Sequence, residues 1–167
     1  MLSQSELTIL KADILADPVL STYPNNSDGN FAIAAAYNLQ AVPDFWVWKS
    51  RVTQEESVGV VSVDGTSWSW TAYISRSQGE RDGWREMFAD TGAINPSYPN
   101  VRQGLADIFS GAGGAAQRTH LLAVSRRKAT RVEKLLATGT GSTASLATMG
   151  FEGNLSYQDV QDARNLP

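Results

Sequence analysis

Apolar residues recur at helical spacing in short stretches of this chain, and clusters of proline, glycine or asparagine end each stretch. The first stretch opens at Ser3, whose hydroxyl can accept from the Glu6 amide while the Glu6 carboxylate reaches back to Ser3. Four apolar residues then fall on one helical face: Leu7, Leu10, Ile14 and Leu15. Because proline disfavours the α conformation in the preceding residue, Asp17-Pro18 ends the pattern. The spacing predicts a helix from about Gln4 to Ala16.

The same spacing predicts further helices along the chain. They cover about residues 30–39, 69–89 and 101–109, and the longest covers about 115–137 with Gly139 as its stop. Residues 58–63 are β-branched and small and precede Asp64-Gly65, so they are the most strand-like part of the first half, with an irregular connector as the alternative. The aromatic run at 44–49 fits a helical turn or a short strand, and a short helix is favoured.

The fold class predicted from this pattern is mainly α. We expect a small bundle of about four to five helices with a short β or extended segment and an extended C-terminal arm. Residues 138–153, TGTGSTASLATMGFEG, are small and almost uncharged, and such a segment cannot build a core of its own. The prediction is therefore a helical core domain over 1–137 and a docking arm over 138–167.

Composition excludes several classes of protein. With no Cys and one His, a disulfide framework or a thiolate metal site is not expected. No run approaches the roughly 20 apolar residues of a membrane span, and the N-terminus lacks the pattern of a secretory signal. The formal charge of −3 argues against a nucleic-acid binder held by bulk charge.

No catalytic, cofactor-binding or metal-binding residue is predicted, and we expect a protein that is not an enzyme. Residues 111–114, GAGG, precede a helix but lack the Lys-Ser/Thr of a phosphate-binding loop, so they read as an interhelix hinge. His120 with Ser125 does not make a triad, and a packed or solvated histidine is the better interpretation. The acid pairs Glu55-Glu56 and Asp159-Asp162 fit a solvated surface.

Positive charge concentrates in the predicted long helix, while the first 48 residues carry five acids and one Lys. The helix is a candidate wall beside DNA or a docking face for an acidic partner, and a solvated outer face is the alternative. Arg76, Arg81 and Arg85 could extend such a wall. The candidate residues are Arg118, Arg126, Arg127, Lys128, Arg131 and Lys134.

Tryptophan is abundant, with five residues in the chain. Trp46, Trp48, Trp68 and Trp70 form more aromatic surface than a small helical domain readily hides. Because Trp is enriched at interface centres, this group favours an oligomer.

Three stretches resemble small structural proteins of tailed bacteriophages: DGTSWSWTAYISRSQGERDGWREMF, NPSYPNVRQGLADIFSGAGGAAQRTHLLAVSRRKATRVEKLLATGTGS and ATMGFEGNLSYQDVQDAR. The resemblance covers about residues 65–164. A helical domain with a C-terminal arm is similar to the head-to-tail adaptor, or connector, proteins.

That resemblance implies a homo-oligomeric ring, usually twelvefold, at the neck of the virion. Such a ring lies beneath the portal, meets neighbouring tail or neck proteins, and extends the channel through which DNA leaves the head. The expected protein is made in the host cytoplasm, has no membrane partner and no cofactor, and touches packaged DNA only transiently. Phe151, Leu155 and Tyr157 are the candidate portal-side anchors. The alternative is a capsid decoration or other head-completion protein.

Overall fold

Nine α-helices and four short strands form the regular backbone of the computed structural model, which describes residues 1–167. About half of the residues are helical, so the predicted mainly-α class is confirmed. The helices are α1 (Gln4–Ala16), α2 (Ser27–Tyr37), α3 (Gln54–Gly59), α4 (Trp70–Ile74), α5 (Gln78–Glu86), α6 (Pro99–Ile108), α7 (Ala115–Val124), α8 (Arg131–Leu136) and α9 (Tyr157–Arg164). The strands are β1 (Trp46–Trp48), β2 (Val52–Thr53), β3 (Ala93–Ile94) and β4 (Arg126–Lys128).

The chain forms two compact units. The first contains Met1–Val47 and Lys128–Pro167, and the second contains Trp48–Arg127. This division differs from the predicted boundary at residue 137, because residues 138–167 belong to the first unit. The chain leaves the first unit within β1 and returns within β4, and these two strands form one two-stranded sheet.

Four helices enclose the core of the first unit. α9 packs against α1 and α2, and α8 packs against α1. The residues at the centre of this core are almost fully buried: Leu10, Ile14, Ile33, Tyr37, Val132 and Val160. The predicted helix from Gln4 to Ala16 is confirmed, including the reciprocal hydrogen bonds of Ser3 and Glu6.

Residues 138–150 obtain their order by pairing within this first unit. Thr138 and Thr148 exchange backbone hydrogen bonds of 2.8 and 2.9 Å, and the Trp46 amide donates to the Gly141 carbonyl at 2.7 Å. Gly141 has a φ of +63°, and a Cβ there would lie 2.2 Å from the Phe45 ring. The segment builds no core of its own, as expected, and it lies on β1 of the same chain.

An aromatic cluster forms the core of the second unit. Trp68 and Trp84 stack at 5.3 Å, and Phe109 meets both rings edge-on. β2 and β3 pair antiparallel with Val52 opposite Ile94, so two further apolar side chains enter this core.

Several predicted elements were wrong, and capping hydrogen bonds explain the two long helices that the structure divides. The predicted helix over 115–137 is divided into α7, β4 and α8, because Thr130 and Glu133 form a capping box that starts α8. The predicted helix over 69–89 is divided in the same way by Ser77 and Glu80 at the start of α5. Residues 58–63 are not a strand: they are the end of α3 followed by irregular backbone, which was the alternative for this segment. The short helix favoured at 44–49 is strand β1.

Candidate functional site

The predicted basic wall does not exist as one helical face, because its six residues lie on α7, β4 and α8 and in both units. Arg118 on α7 donates to the carbonyls of Phe109 and Gly111, the latter at 3.0 Å. Arg76 donates to the Ser110 carbonyl at 3.0 Å and pairs with Glu80. These guanidinium groups bind carbonyl oxygens of the C-cap residue of α6 and of the turn that follows it.

Two of the three basic residues of β4 pair with carboxylates, and the third is half-buried. Arg126 pairs with Asp64, and Arg127 is half-buried. Lys128 is exposed, pairs with Asp44 at 2.7 Å and lies 5.7 Å from the centre of the Trp46 ring. The hydrogen bond from Lys128 lowers the pKa of the Asp44 carboxyl.

Arg131 belongs to a charge network inside the first unit. Its guanidinium contacts Asp13 at 3.0 Å and Asp17 at 2.9 Å, and it lies 4.4 Å from the centre of the Tyr37 ring. Burial and the hydrogen bond from the Tyr37 hydroxyl to Asp13 raise the pKa of that phenol. Lys134, one turn further along α8, lies 5.9 Å from the centre of the Phe45 ring. Arg131 therefore ties α8 to α1 and carries a charge that two carboxylates neutralise.

The structure separates the three predicted portal-side anchors. Leu155 is only 3% exposed within the core of the first unit, and its backbone exchanges two hydrogen bonds with the Asn38 side chain. Phe151 is half-buried against the same core. Tyr157 is half-buried, and its ring centre lies 4.4 Å from that of Phe31, which is 55% exposed. Leu155 is thus a core residue, and the Tyr157–Phe31 pair is the accessible aromatic feature of this segment.

His120 is a packed core residue. It is fully buried on α7, with Nε2 2.9 Å from the Ser57 carbonyl oxygen and Nδ1 3.2 Å from the Thr66 hydroxyl. Because both ring nitrogens already have partners, His120 has no free nitrogen to serve as a general base. The glycines at 111–114 form the turn between α6 and α7, where a Cβ on Gly114 would lie 2.1 Å from the Phe109 carbonyl oxygen.

An open groove on the second unit is the feature that sequence reasoning missed. It has a volume of about 530 Å³ and is lined by Gln54, Glu55, Val58, Trp70, Tyr73, Trp84 and Arg85. We call it the aromatic groove. Trp70 is 57% exposed, although Trp68 two residues earlier is buried. The Trp-Ser-Trp sequence is unusual in its aromatic content, but sequence alone does not show which of its two rings is exposed.

The aromatic walls of this groove are held by contacts within the unit. Trp68 lies behind them, with its ring centre 5.9 Å from that of Trp70 and 5.5 Å from that of Tyr73. The planes of Trp70 and Tyr73 meet at 85°, with their centres 5.8 Å apart. The groove is therefore formed before any ligand arrives, which reduces the conformational entropy lost on binding.

One acidic side chain at the groove has no ion-pair partner, whereas the charged side chains near it do. The Glu55 carboxylate is exposed and has no ion pair, whereas Glu56 beside it pairs with Lys49 at 3.4 Å. Arg85 pairs with Asp82 at 2.9 Å. The groove thus offers apolar rings and one unneutralised negative charge, a combination suited to an apolar segment with a nearby cation.

No group of three or more His, Cys, Asp or Glu residues is arranged to hold a metal ion. None of the helices combines the length and the apolar character that crossing a bilayer requires.

Comparisons with protein-family models, with curated proteins and with solved structures gave no match to this chain.

Proposed function

We propose that this chain is a structural protein of a tailed-phage virion that forms a ring between the portal and the tail and extends the DNA channel. The observation that carries the proposal is the preformed aromatic groove on the second unit, beside which the exposed Trp70 has no covering element. Exposed aromatic patches of this kind mark protein interfaces. The sequence resemblance over about residues 65–164 supplies the virion setting.

Further exposed apolar side chains on the same unit support an assembly role. The turn at 62–66 is closed by a 2.9 Å hydrogen bond from the Ser62 amide to the Thr66 carbonyl, and Val63 in it and Val61 just before it are exposed. Ile74 at the end of α4 is also exposed. A ring subunit can bury these side chains against its neighbours.

Contact with DNA is proposed to be transient and non-specific. Arg126, Lys128 and Arg131 each have a carboxylate partner, so each has little net charge to offer a phosphate. An adaptor needs only this weak contact, because DNA must slide through the channel. We therefore expect poor binding to duplex DNA that disappears on adding moderate salt.

Native mass spectrometry tests the proposed function, using the full chain alone and mixed with the portal protein from the same genome. A complex in which the two proteins match in stoichiometry supports the adaptor. A monomer that ignores the portal and binds assembled capsids instead indicates the decoration protein. Failure to bind either one overturns the virion assignment.

Substitutions at the predicted portal-side anchors and at Phe31 test whether this part of the chain contacts the portal. We expect Tyr157→Ser and Phe31→Ser to weaken the portal complex while leaving the circular dichroism spectrum unchanged, because Phe31 is exposed and Tyr157 is only half-buried. Leu155→Ser should instead reduce folding itself, since it places a hydroxyl in the core. Equal portal binding by wild type and both surface variants would remove this aromatic pair from the interface.

A further inference from the structure

The chain carries a rigid apolar projection whose chemistry matches the aromatic groove. It is the turn at residues 95–99, NPSYP, which we call the proline turn. Tyr98 at its tip is 58% exposed and makes no capping hydrogen bond, and Pro99 beside it is exposed at the first position of α6. A tyrosine ring next to a pyrrolidine ring is the kind of ligand that an aromatic-lined groove accepts.

Hydrogen bonds fix the shape of the proline turn. The Asn95 side-chain oxygen accepts from the Ser97 amide at 3.0 Å and from the Ser97 hydroxyl at 2.5 Å. Arg102, one turn into α6, donates to the carbonyls of Pro96 at 2.5 Å and Ser97 at 2.8 Å. Because the turn is already ordered, docking it costs little conformational entropy.

The charges of the two features are complementary. Arg102 donates only to carbonyls and lies 4.5 Å from the centre of the Trp48 ring, so no carboxylate neutralises its charge. Residues 95–106 contain no acid. The groove has the converse property, because Glu55 is its unneutralised acid. Seating the proline turn in the groove would bring an unpaired cation toward an unpaired anion.

We propose that the aromatic groove of one copy of this chain binds the proline turn of a second copy. The Tyr98 ring packs against the exposed Trp70 ring of the neighbouring copy, and the Tyr98 hydroxyl donates to Glu55 at the edge of the groove. The contact joins two different surfaces, so it is heterologous and leaves a free groove at one end and a free turn at the other. Repetition of such a contact closes a ring when the rotation per copy allows it.

This inference rests on the proposed ring in one respect, since a ring requires a heterologous contact. It names the two surfaces that make that contact, and both lie in the second unit. A single turn in a single groove is smaller than a standard protein interface. The isolated contact is therefore weak, and the experiment must trap it.

Cysteine trapping is clean in this protein because the natural chain has no cysteine. Gln54→Cys places a thiol on the groove, and Asn100→Cys places one beside the proline turn, both at exposed positions. We expect mixed oxidation of the two single-cysteine chains to give a covalent dimer containing one of each. Leu15→Cys, which is 65% exposed on α1, is the matched control and should cross-link to neither.

Removing the aromatic ring of either Tyr98 or Trp70 must slow the formation of the disulfide-linked dimer. Tyr98→Ser in the Asn100→Cys chain, or Trp70→Ser in the Gln54→Cys chain, should reduce the rate by more than about ten-fold, as expected for a central aromatic contact. Sedimentation at protein concentrations up to about 1 mM gives the second readout. There, the Trp70→Ser and Tyr98→Ser chains should each stay monomeric and should pair one-to-one when mixed, because each retains the surface that the other lacks.

The outcomes separate this inference from the proposed function. Cross-linking that is unchanged by both serine variants, or that occurs equally with Leu15→Cys, overturns the groove contact. If the portal complex forms with Trp70→Ser and Tyr98→Ser as it does with wild type, the adaptor survives and the groove contact fails. If trapping behaves as expected while no portal or capsid complex forms, the groove contact stands and the virion assignment fails.

Discussion

Individual charged residues in this chain mostly serve the fold, and the first unit shows this most clearly. Asp17 ends α1, and its carboxylate accepts from the amides of Val19 at 2.8 Å and Leu20 at 2.9 Å as well as from Arg131. One side chain thus ends a helix, begins the next turn and anchors α8. Three of the five acids in the first 48 residues, Asp13, Asp17 and Asp44, pair with Arg131 or Lys128 inside the same unit.

We expect Asp17→Asn to lower stability near neutral pH and to lose this effect in acid. The hydrogen bonds from Leu20 and Val19, followed by that from Arg131, hold the pKa of Asp17 below its usual value near 3.8. A depressed folded-state pKa contributes stability above the unfolded pKa, and this contribution is lost as the pH falls through the folded value. Urea midpoints of the two proteins should therefore differ at about pH 7, and the difference should shrink as the pH falls below 3.8 and through the folded-state pKa. Asp162→Asn, an exposed change on α9, is the control and should match wild type throughout this range.

At the scale of elements, capping motifs carried more information than apolar spacing. The sequence shows Ser or Thr followed three residues later by Glu at Ser3, Thr53, Ser77 and Thr130, and each begins a helix with both reciprocal hydrogen bonds. Apolar spacing continued through Ser77 and Thr130, so it predicted two long helices where four short ones exist. The signal that would have divided them was present in the sequence.

The candidate site was less predictable from sequence because it depends on contacts distant along the chain. Trp68 and Trp70 are two residues apart, yet only Trp68 enters the core formed by Trp84 and Phe109. Likewise, Leu155 lies in a segment with no apolar period, and its burial depends on α1 and α2. Local pattern identified the tryptophans as unusual, but it does not show which side chain a distant helix covers.

Two glycine substitutions should have opposite effects on stability. Gly79 lies within α5, and a Cβ there meets nothing within 4 Å, so Gly79→Ala should raise the free energy of unfolding by about 0.5–1 kcal/mol. Gly141→Ala should lower it by about 2–4 kcal/mol, because it combines a positive φ with overpacking against Phe45. Chemical denaturation followed by circular dichroism measures both. A neutral Gly141→Ala would mean that residues 138–150 do not lie on β1 in solution.

At the scale of the whole molecule, the first unit is built from two separated pieces of chain. The ends of these pieces are held together by backbone hydrogen bonds, since the Ala129 amide donates to the Phe45 carbonyl at 2.8 Å and the Ala41 amide donates to the Ala129 carbonyl at 3.0 Å. The second unit is therefore an insertion whose two attachment points are neighbours on one sheet. Insertions of this geometry are tolerated because they leave the core of the host unit uninterrupted.

This arrangement predicts which large deletion the fold survives. Replacing residues 48–127 with an Asn-Gly turn should leave the first unit folded, since the turn joins Val47 and Lys128, which lie on neighbouring strands, and all four core helices remain. Ending the chain at residue 137 should unfold the first unit, because it removes α9 and with it the buried side chains of Leu155, Val160 and Ala163. Losses of about 2–5 kcal/mol for each large core side chain exhaust a typical stability of about 5–15 kcal/mol. Cooperative thermal unfolding and dispersed amide resonances should be seen for the internal deletion and be absent from the truncation. If the truncated chain folds and the internal deletion does not, the domain boundary lies at residue 137 and residues 138–167 are a separable arm.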